Sequence, residues 1–400
     1  MTAQRCLTHL PEVGSGADEQ ICSALYLHVP FCLQKCPYCS FFSLAGAKNL
    51  QKIYVQAVSR QIRQVASNTP ARLYRLKTIF FGGGTPTILS ADILADILNS
   101  CLDAFPCNEE KRLEISIEAN PATTDIQGLR TLRRAGFNRL SIGVQSFNDQ
   151  ELRLLGRPHS ALDARRIFHN ARQAGFTNIN LDLMYGLPGQ TTEDWQQSLE
   201  RALALAPEHL SLYELTIEED TVFGAQKSRG LLHLPREEEV LAMLAETEIL
   251  TRQAGFLRYE ISNYARAGFQ CQHNINYWHN RSYIGLGPGA VTCLDDTRYT
   301  AAKDIEQFAR QMNAEQTAWR ENERLTREER FRETVIMGLR MLDGVSLKEL
   351  KQRFGINLVN YYGSTLTSLI EQQLLVIDQE RLHLTSRGLL LANTVMAELV

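Results

Sequence analysis

Three cysteines, Cys32, Cys36 and Cys39, stand in the run FCLQKCPYC from Phe31 to Cys39, and they are the side chains here best spaced for chemistry. The extended chain between the outer two covers at most about 25 Å, so a looped segment can gather three thiolates around one small centre. Scattered cysteines such as Cys101, Cys107 and Cys293 read as inert core residues. Structural zinc takes four protein ligands, and the nearest further cysteine, Cys22, precedes the strand that leads into the loop. Three thiolates instead suit a [4Fe–4S] cluster with one iron left open to an exchangeable ligand.

Short apolar runs must position this loop and whatever faces it. Strands are expected at Ala24 to Val29, Thr78 to Gly82, Leu113 to Ala119, Arg139 to Val144, Asn178 to Tyr185 and His209 to Leu215, with helical patterns such as Leu50 to Val65 and Thr192 to Leu205 between them. Repeated βα units predict a parallel sheet covered by helices, and six of them predict an α/β fold with a partial (β/α)6 TIM-like barrel. Chemistry in such barrels sits at the carboxyl ends of the strands. There the sequence puts GGGTPT (Gly82 to Thr87), Glu118, Gln145 with Arg157 in the loop beyond, and Asp182. Consecutive glycines allow close backbone approach and are expected to expose N–H groups to a ligand. Glu118 and Asp182 can accept hydrogen bonds from an ammonium or ribose hydroxyl, and Arg157 can fork onto a carboxylate. Singly, each is an ordinary loop anchor; together they make a polar ring around one barrel mouth.

The strand followed by CxxxCxxC, with Tyr38 before the last cysteine, resembles the radical S-adenosylmethionine (SAM) superfamily, and YLHVPFCLQKCPYC is similar to its branch of oxygen-independent coproporphyrinogen dehydrogenases and haem chaperones. The resemblance implies that Cys32, Cys36 and Cys39 hold the cluster and that SAM chelates the fourth iron. It also implies that Tyr26, Gly83, Gly84, Thr85, Glu118, Gln145, Arg157 and Asp182 line the SAM pocket. One-electron cleavage of a SAM carbon–sulfur bond is the family's chemistry, with the protein supplying position and a closed pocket.

Beyond Leu215, Glu237 to Gln253 reads as a long helix, and HNINYW (His273 to Trp278) follows. If helical, His273 and Tyr277 share a face; an imidazole there can ligate haem iron and the rings can pack on a macrocycle. The same cluster also suits a hydrogen-bonded core patch. HNxxYW resembles a signature of the haem-chaperone branch, which implies haem as cargo, His273 as its leading axial ligand, and apo-haemoproteins such as respiratory enzymes as recipients. Cys271 and His279 are weaker candidates. Two features depart from the relatives. Ser40 and Phe41 replace the CxC ending of the coproporphyrinogen dehydrogenases, which argues against that reaction, and Val291 follows GPGA where many members have histidine. The alternative reading is an active radical SAM oxidoreductase or methyltransferase on a tetrapyrrole or other aromatic substrate.

The expected organisation is a flexible lead-in over residues 1–23, the barrel over 24–255, an HNxxYW-containing extension packing on the barrel over 256–324, and a helical, winged-helix-like domain over 325–400. A net charge of −3 gives no global reason to expect nucleic acid, and the last domain shows no dense basic face. No apolar run approaches the ~20 residues of a membrane span, and no signal-peptide core precedes the first strand. Reduced cysteines and an oxygen-sensitive cluster point to the cytoplasm, with a homodimer and loose membrane-surface association as further expectations.

Overall fold

The computed structural model describes residues 22–68, 74–107, 113–294, 296–317 and 319–400. The lead-in expected over 1–23 lies outside the described residues up to position 21, and Cys22 and Ser23 already belong to the first strand.

Six parallel strands carry the barrel: β1 (Cys22–Val29), β2 (Tyr74–Gly83), β3 (Glu114–Ala119), β4 (Arg139–Gln145), β5 (Ile179–Tyr185) and β6 (His209–Glu214), paired in that order. Alternation along a strand sends neighbouring side chains to opposite faces, and these strands use it to separate two environments. Ile115, Ile117, Leu140, Ile142, Ile179, Leu181, Leu210 and Leu212 join one buried apolar cluster with the surrounding helices. Their alternates, Glu118, Arg139, Ser141, Asn180, Asp182 and Ser211, line a cavity inside the barrel. Barrels of this kind are ordinarily filled by layers of Val, Ile and Leu; here the inner face is built for polar contacts.

The covering helices are α1 (Gln51–Asn68), α2 (Ala91–Ala104), α3 (Ile126–Ala135), α4 (Asp149–Leu154), α5 (Ala161–Gln173) and α6 (Thr192–Ala204). Side-chain caps fix where two of them begin: Ser160 with Asp163 and Thr191 with Asp194 form reciprocal capping boxes. Beyond β6 come α7 (Val222–Ser228) and α8 (Glu237–Gln253). Trp195 of α6, fully buried, donates to Thr247 Oγ1 of α8 at 2.9 Å.

Residues 256–324 pack on the barrel, with Tyr299, Ile305, Phe308 and Met312 in its apolar cluster, and they also prolong its sheet from both edges. β7 (Leu257–Arg258) and β8 (Asn263–Ala265) add antiparallel beside β6. After α9 (Gln272–Trp278), β9 (Tyr283–Leu286) pairs parallel with β1. β10 (Val291–Leu294), β11 (Thr297–Ala301), α10 (Ile305–Asn313) and β12 (Trp319–Arg324) follow, the strands continuing antiparallel to complete a 12-stranded sheet. Val291 opens β10, and its carbonyl leaves no room for a side chain at Gly285 of β9.

The C-terminal region has its own core, including Phe331, Val335, Leu339, Leu350, Leu369 and Leu382. It comprises α11 (Arg327–Gly338), α12 (Leu347–Phe354), α13 (Leu358–Glu371) and a three-stranded antiparallel sheet of β13 (Val345–Ser346), β15 (Arg381–Leu384) and β14 (Leu375–Asp378), a winged-helix-like arrangement. Gly355 ends α12 in the left-handed conformation, the geometry a helix stop favours. The single last helix expected over TSRGLLLANTVMAEL is two, Ser386–Leu390 and Ala392–Ala397, broken at Leu391 (φ −114°, ψ 24°). Gly388 is pressed onto the Leu374 carbonyl while Val395 and Leu399 bury in the core, and the bend lets both halves pack.

Candidate functional site

The cysteine loop springs from the carboxyl end of β1. Phe31–Cys32 pairs with Leu44–Ala45, and the Leu44 N–H donates to Pro30 O at 2.6 Å, closing the loop on itself. Cys32, Cys36 and Cys39 are free, half-buried thiols. Their surroundings are polar: Cys32 Sγ lies 3.8 Å from Thr85 Oγ1, and Arg157 Nη1 lies 3.7 Å from Cys36 Sγ. Burial pushes the Cys39 thiol up, with Lys35 opposing. Among the described residues no three His, Cys, Asp or Glu side chains are grouped to hold one metal ion. Three free thiols lining one cavity beside a guanidinium are a donor set that fits a [4Fe–4S] cluster with one iron left to an exchangeable ligand.

The leading candidates line that same cavity, of about 540 Å³: Tyr26, the three cysteines, Gly83, Gly84, Thr85, Glu118, Gln145, Arg157, Asp182 and His273; Cys271 and His279 are not among its lining. The glycine strip works differently from expectation. Its N–H groups are not presented to a ligand: Gly83 donates to Glu118 Oε2 (3.2 Å), Gly84 to Val29 O (2.9 Å) and Thr85 to Phe31 O (2.7 Å). The strip instead zips β2 to the cysteine loop, and absence of side chains is what allows it. A Cβ at Gly83 (φ +119°) would stand 2.7 Å from the His28 ring, and one at Gly84 would stand 2.9 Å from Cys32 Sγ.

His28 ties this region together. Its Nε2 lies 3.0 Å from Phe42 O, which can only accept, so Nε2 carries the proton and Nδ1 accepts from Tyr26 OH at 3.0 Å. Across the barrel, Arg157 Nη2 donates to Gly143 O (2.7 Å) from a bulged stretch in which Gln145 adopts φ +69°. A non-glycine residue in that region is strained, a feature concentrated at functional sites. Asp182 is aimed by Ser141 Oγ (3.1 Å) and Asn180 Nδ2 (2.7 Å). Burial, then the Asp182 charge, pushes Glu118 up to about 8; burial also raises Asp182.

His273 is placed in the lumen, where its ring is held by hydrogen bonds within the core. It is 1 % exposed and both ring nitrogens are engaged, Nδ1 with Thr78 Oγ1 (2.8 Å) and Nε2 with Tyr277 OH (3.1 Å). The ring stacks on Phe80, and burial pushes its pKa down to about 3. Glu114 fixes this placement by accepting from the N–H groups of Gln272 (3.0 Å) and His273 (3.1 Å), which caps α9 against the start of β3. Both ring nitrogens are committed to hydroxyls here, and iron would reach the imidazole only by displacing Thr78 or Tyr277 from it. Cys271 is likewise buried, its thiol donating to Glu114.

Sequence reading missed Arg139, Ser141, Asn180, Ser211 and Tyr213, which complete the lining. Their signal was the period-two polarity of EISIE, RLSIG, NINLD and HLSLYE, since strands of a buried parallel sheet ordinarily read apolar on both faces.

Comparison with known proteins agrees with this geometry. Residues 26–202 match the model of the radical SAM superfamily, and residues 325–391 match that of the HemN C-terminal domain. Coproporphyrinogen III oxidase (HemN) from Escherichia coli superposes with a TM-score of 0.82 at 26 % identity, covering 96 % of this chain and 91 % of that one. The chain is therefore a radical SAM protein of HemN architecture. The heme chaperone HemW of Bacillus subtilis is 37 % identical, covering 92 % of this chain and 97 % of that one. HemW of Escherichia coli is 41 % identical, covering 67 % and 69 %. A mitochondrial radical S-adenosyl methionine domain-containing protein 1 of Mus musculus is 34 % identical, covering 94 % and 87 %. The chain belongs to the family of the heme chaperone HemW.

Proposed function

We propose that this chain binds haem and hands it to apo-haemoproteins such as respiratory enzymes, holding a [4Fe–4S] cluster on Cys32, Cys36 and Cys39 and SAM in the adjoining lumen. The observation that carries this is the convergence of the cysteine loop, the glycine strip and the polar strand tips on one cavity in a chain of the HemW family. When bound, the cluster supplies an open iron for the SAM amino and carboxylate groups and an electron for its carbon–sulfur bond. Glu118 takes the ammonium side, and Arg157 offers the rest of its fork to a carboxylate. Asp182, oriented by Ser141 and Asn180, accepts from ribose hydroxyls. Tyr26 is held by His28, which fixes the loop at Phe42. For haem itself, Leu33 (48 % exposed) and Phe41 (71 % exposed) form an apolar rim on the cysteine loop at the cavity's mouth, suited to the face of a macrocycle.

Among the described residues no helix is long and apolar enough to cross a membrane. The proposed setting is the cytoplasm, whose reducing conditions keep the thiols available to iron; delivery at a membrane surface fits the same reading. The cavity's full set of polar residues also favours a second reading, an active radical SAM enzyme on a tetrapyrrole or other aromatic substrate. Anaerobic titration of the reconstituted protein with haem, followed by transfer to an apo-haemoprotein, separates the two. Stoichiometric uptake and release without a modified product supports the carrier. Reductant- and SAM-dependent turnover to a changed tetrapyrrole supports the enzyme, and failure both to take up and to release haem ends the carrier reading.

A further inference from the structure

A line of hydrogen bonds runs from the lumen to the outside of the barrel, through Asp182, Asn180, His209, Tyr259 and the N–H of Cys271. Asp182 and Asn180 share one face of β5, and Asn180 is the register partner of His209, which opens β6. His209 is fully buried and does not line the cavity; its Nδ1 lies 2.6 Å from Asn180 Oδ1. Its Nε2 meets the Tyr259 hydroxyl at 2.9 Å, and the Tyr259 oxygen accepts from the Cys271 N–H at 3.2 Å, at the start of α9.

Every link has a direction. A carboxylate accepts, so Asn180 turns its amide nitrogen to Asp182 Oδ1 (2.7 Å) and its carbonyl to the other side. That carbonyl takes the Nδ1–H of His209. Nε2 is then the accepting nitrogen and receives the hydroxyl hydrogen of Tyr259. Burial, then the Arg139 charge, push His209 well below its ordinary pKa, so the neutral ring has one proton for these two places.

Ser211 cannot replace the imidazole. Its Oγ lies 2.9 Å from Asn180 Nδ2 and 3.2 Å from Oδ1, and a hydroxyl suits either face of the amide. Without the His209 N–H, nothing on that side keeps Asn180 from turning over, which would set its carbonyl against the Asp182 carboxylate. Tyr259 itself is held from outside the barrel: its N–H donates to Asn263 O (3.1 Å), and its carbonyl accepts from the Leu342 N–H of the C-terminal region (3.1 Å). Burying an imidazole and a phenol hydroxyl costs more than burying hydrocarbon, so closing the barrel floor is not their whole task.

We propose that His209 and Tyr259 are positioning residues for the nucleoside part of SAM, holding the Asp182 carboxylate, through Asn180, in the orientation that takes a ribose hydroxyl. This rests on the reading of Asp182 as the ribose acceptor.

The test measures equilibrium binding of SAM, and of SAM lacking the 2′- or the 3′-hydroxyl, to the cluster-reconstituted full chain. The variants are Asp182→Asn, His209→Leu, His209→Asn and Tyr259→Phe. Asp182→Asn first identifies the hydroxyl the carboxylate takes, since it weakens SAM but leaves the analogue lacking that hydroxyl unchanged. His209→Leu is expected to weaken SAM about three- to tenfold, the worth of one hydrogen bond, and that analogue by under about twofold. His209→Asn, whose amide N–H can stand in for Nδ1–H, recovers part of the loss. Tyr259→Phe shows a smaller loss with the same dependence on the hydroxyl. Should His209→Leu fail to fold, the SAM-to-analogue ratios in Tyr259→Phe and His209→Asn carry the same reading. Equal losses for SAM and the analogue, or wild-type SAM affinity in folded His209→Leu and Tyr259→Phe, overturn the proposal; a retained Asp182→Asn effect then leaves the ribose reading standing. Asp182→Asn binding SAM as wild type does refutes the ribose reading, and the proposal with it.

Discussion

Replacing Gly84 by alanine should disable the cluster site while leaving the rest of the barrel folded. The added methyl would lie 2.6 Å from Phe31 O, 2.9 Å from Cys32 Sγ and 3.0 Å from the Phe31 carbonyl carbon. Ordinary contacts sit near 3.5 Å, so the two segments must part by roughly 0.5–1 Å. They cannot do so freely, because the hydrogen bonds from Gly84 to Val29 O and from Thr85 to Phe31 O bracket the crowded point. Overpacking of this kind costs about 1–3 kcal/mol, and disturbing the support of a metal ligand typically lowers affinity about 10–100-fold. The assay is iron and sulfide content after anaerobic reconstitution, alongside urea unfolding of the apo-protein. Gly46→Ala is the control: Gly46 has φ +70° but nothing within 4 Å of the added carbon, so it bears left-handed strain of roughly 1–2 kcal/mol without crowding. Gly84→Ala holding iron as wild type does, with no more destabilisation than Gly46→Ala, would refute the reasoning.

Glu118 gives the ligand-free protein a pH signature. Its folded pKa is pushed from 4.5 to about 8, so the folded chain keeps a proton that the unfolded chain gives up; the contribution is complete below about pH 4.5 and is lost as pH climbs through 8, at about 1.4 kcal/mol per pH unit as an upper limit. Glu118→Gln lacks this slope, so in urea unfolding its advantage over wild type should widen from pH 5 to pH 8; parallel curves would count against it. Arg157→Lys keeps the charge but loses the fork that spans Gly143 O and the cavity, and equilibrium dialysis should show SAM binding about tenfold weaker; unchanged affinity would remove Arg157 from the ligand's contacts. His273→Ala should still take up haem but lose about 1–3 kcal/mol of stability, since Thr78 and Tyr277 each lose a buried partner. Loss of haem uptake in a folded His273→Ala protein would instead assign the imidazole as iron ligand.

Features carried by a few adjacent residues were legible before any coordinates. The strand runs were placed within a few residues of their observed ends, and α8 spans Glu237–Gln253 as read, because apolar periodicity and caps are local signals. The cysteine spacing and the polar strand tips were legible for the same reason. Long-range pairing was not. β9 meets β1 across more than two hundred residues, and runs as short as VTCL and TRYTA carry no mark of which sheet edge they join. The surroundings of His273 were hidden for a related reason. Its ring chemistry is visible in HNINYW, but the Glu114 cap and the Thr78 hydroxyl that commit it come from distant strands. Arg139 and Ser141 were overlooked although their alternation was plain, because the apolar half of each run was enough to mark a strand.

A barrel whose inward residues are hydroxyls, amides and acids forgoes the interlocking hydrocarbon that normally steadies this architecture. Cofactor and cargo then become structural members as well as reagents: a ligand present at a hundred times its Kd adds about 2.7 kcal/mol to the folded state. The cell's supply of iron, sulfide and methionine derivatives would thus govern how long each copy survives proteolysis as well as how well it works.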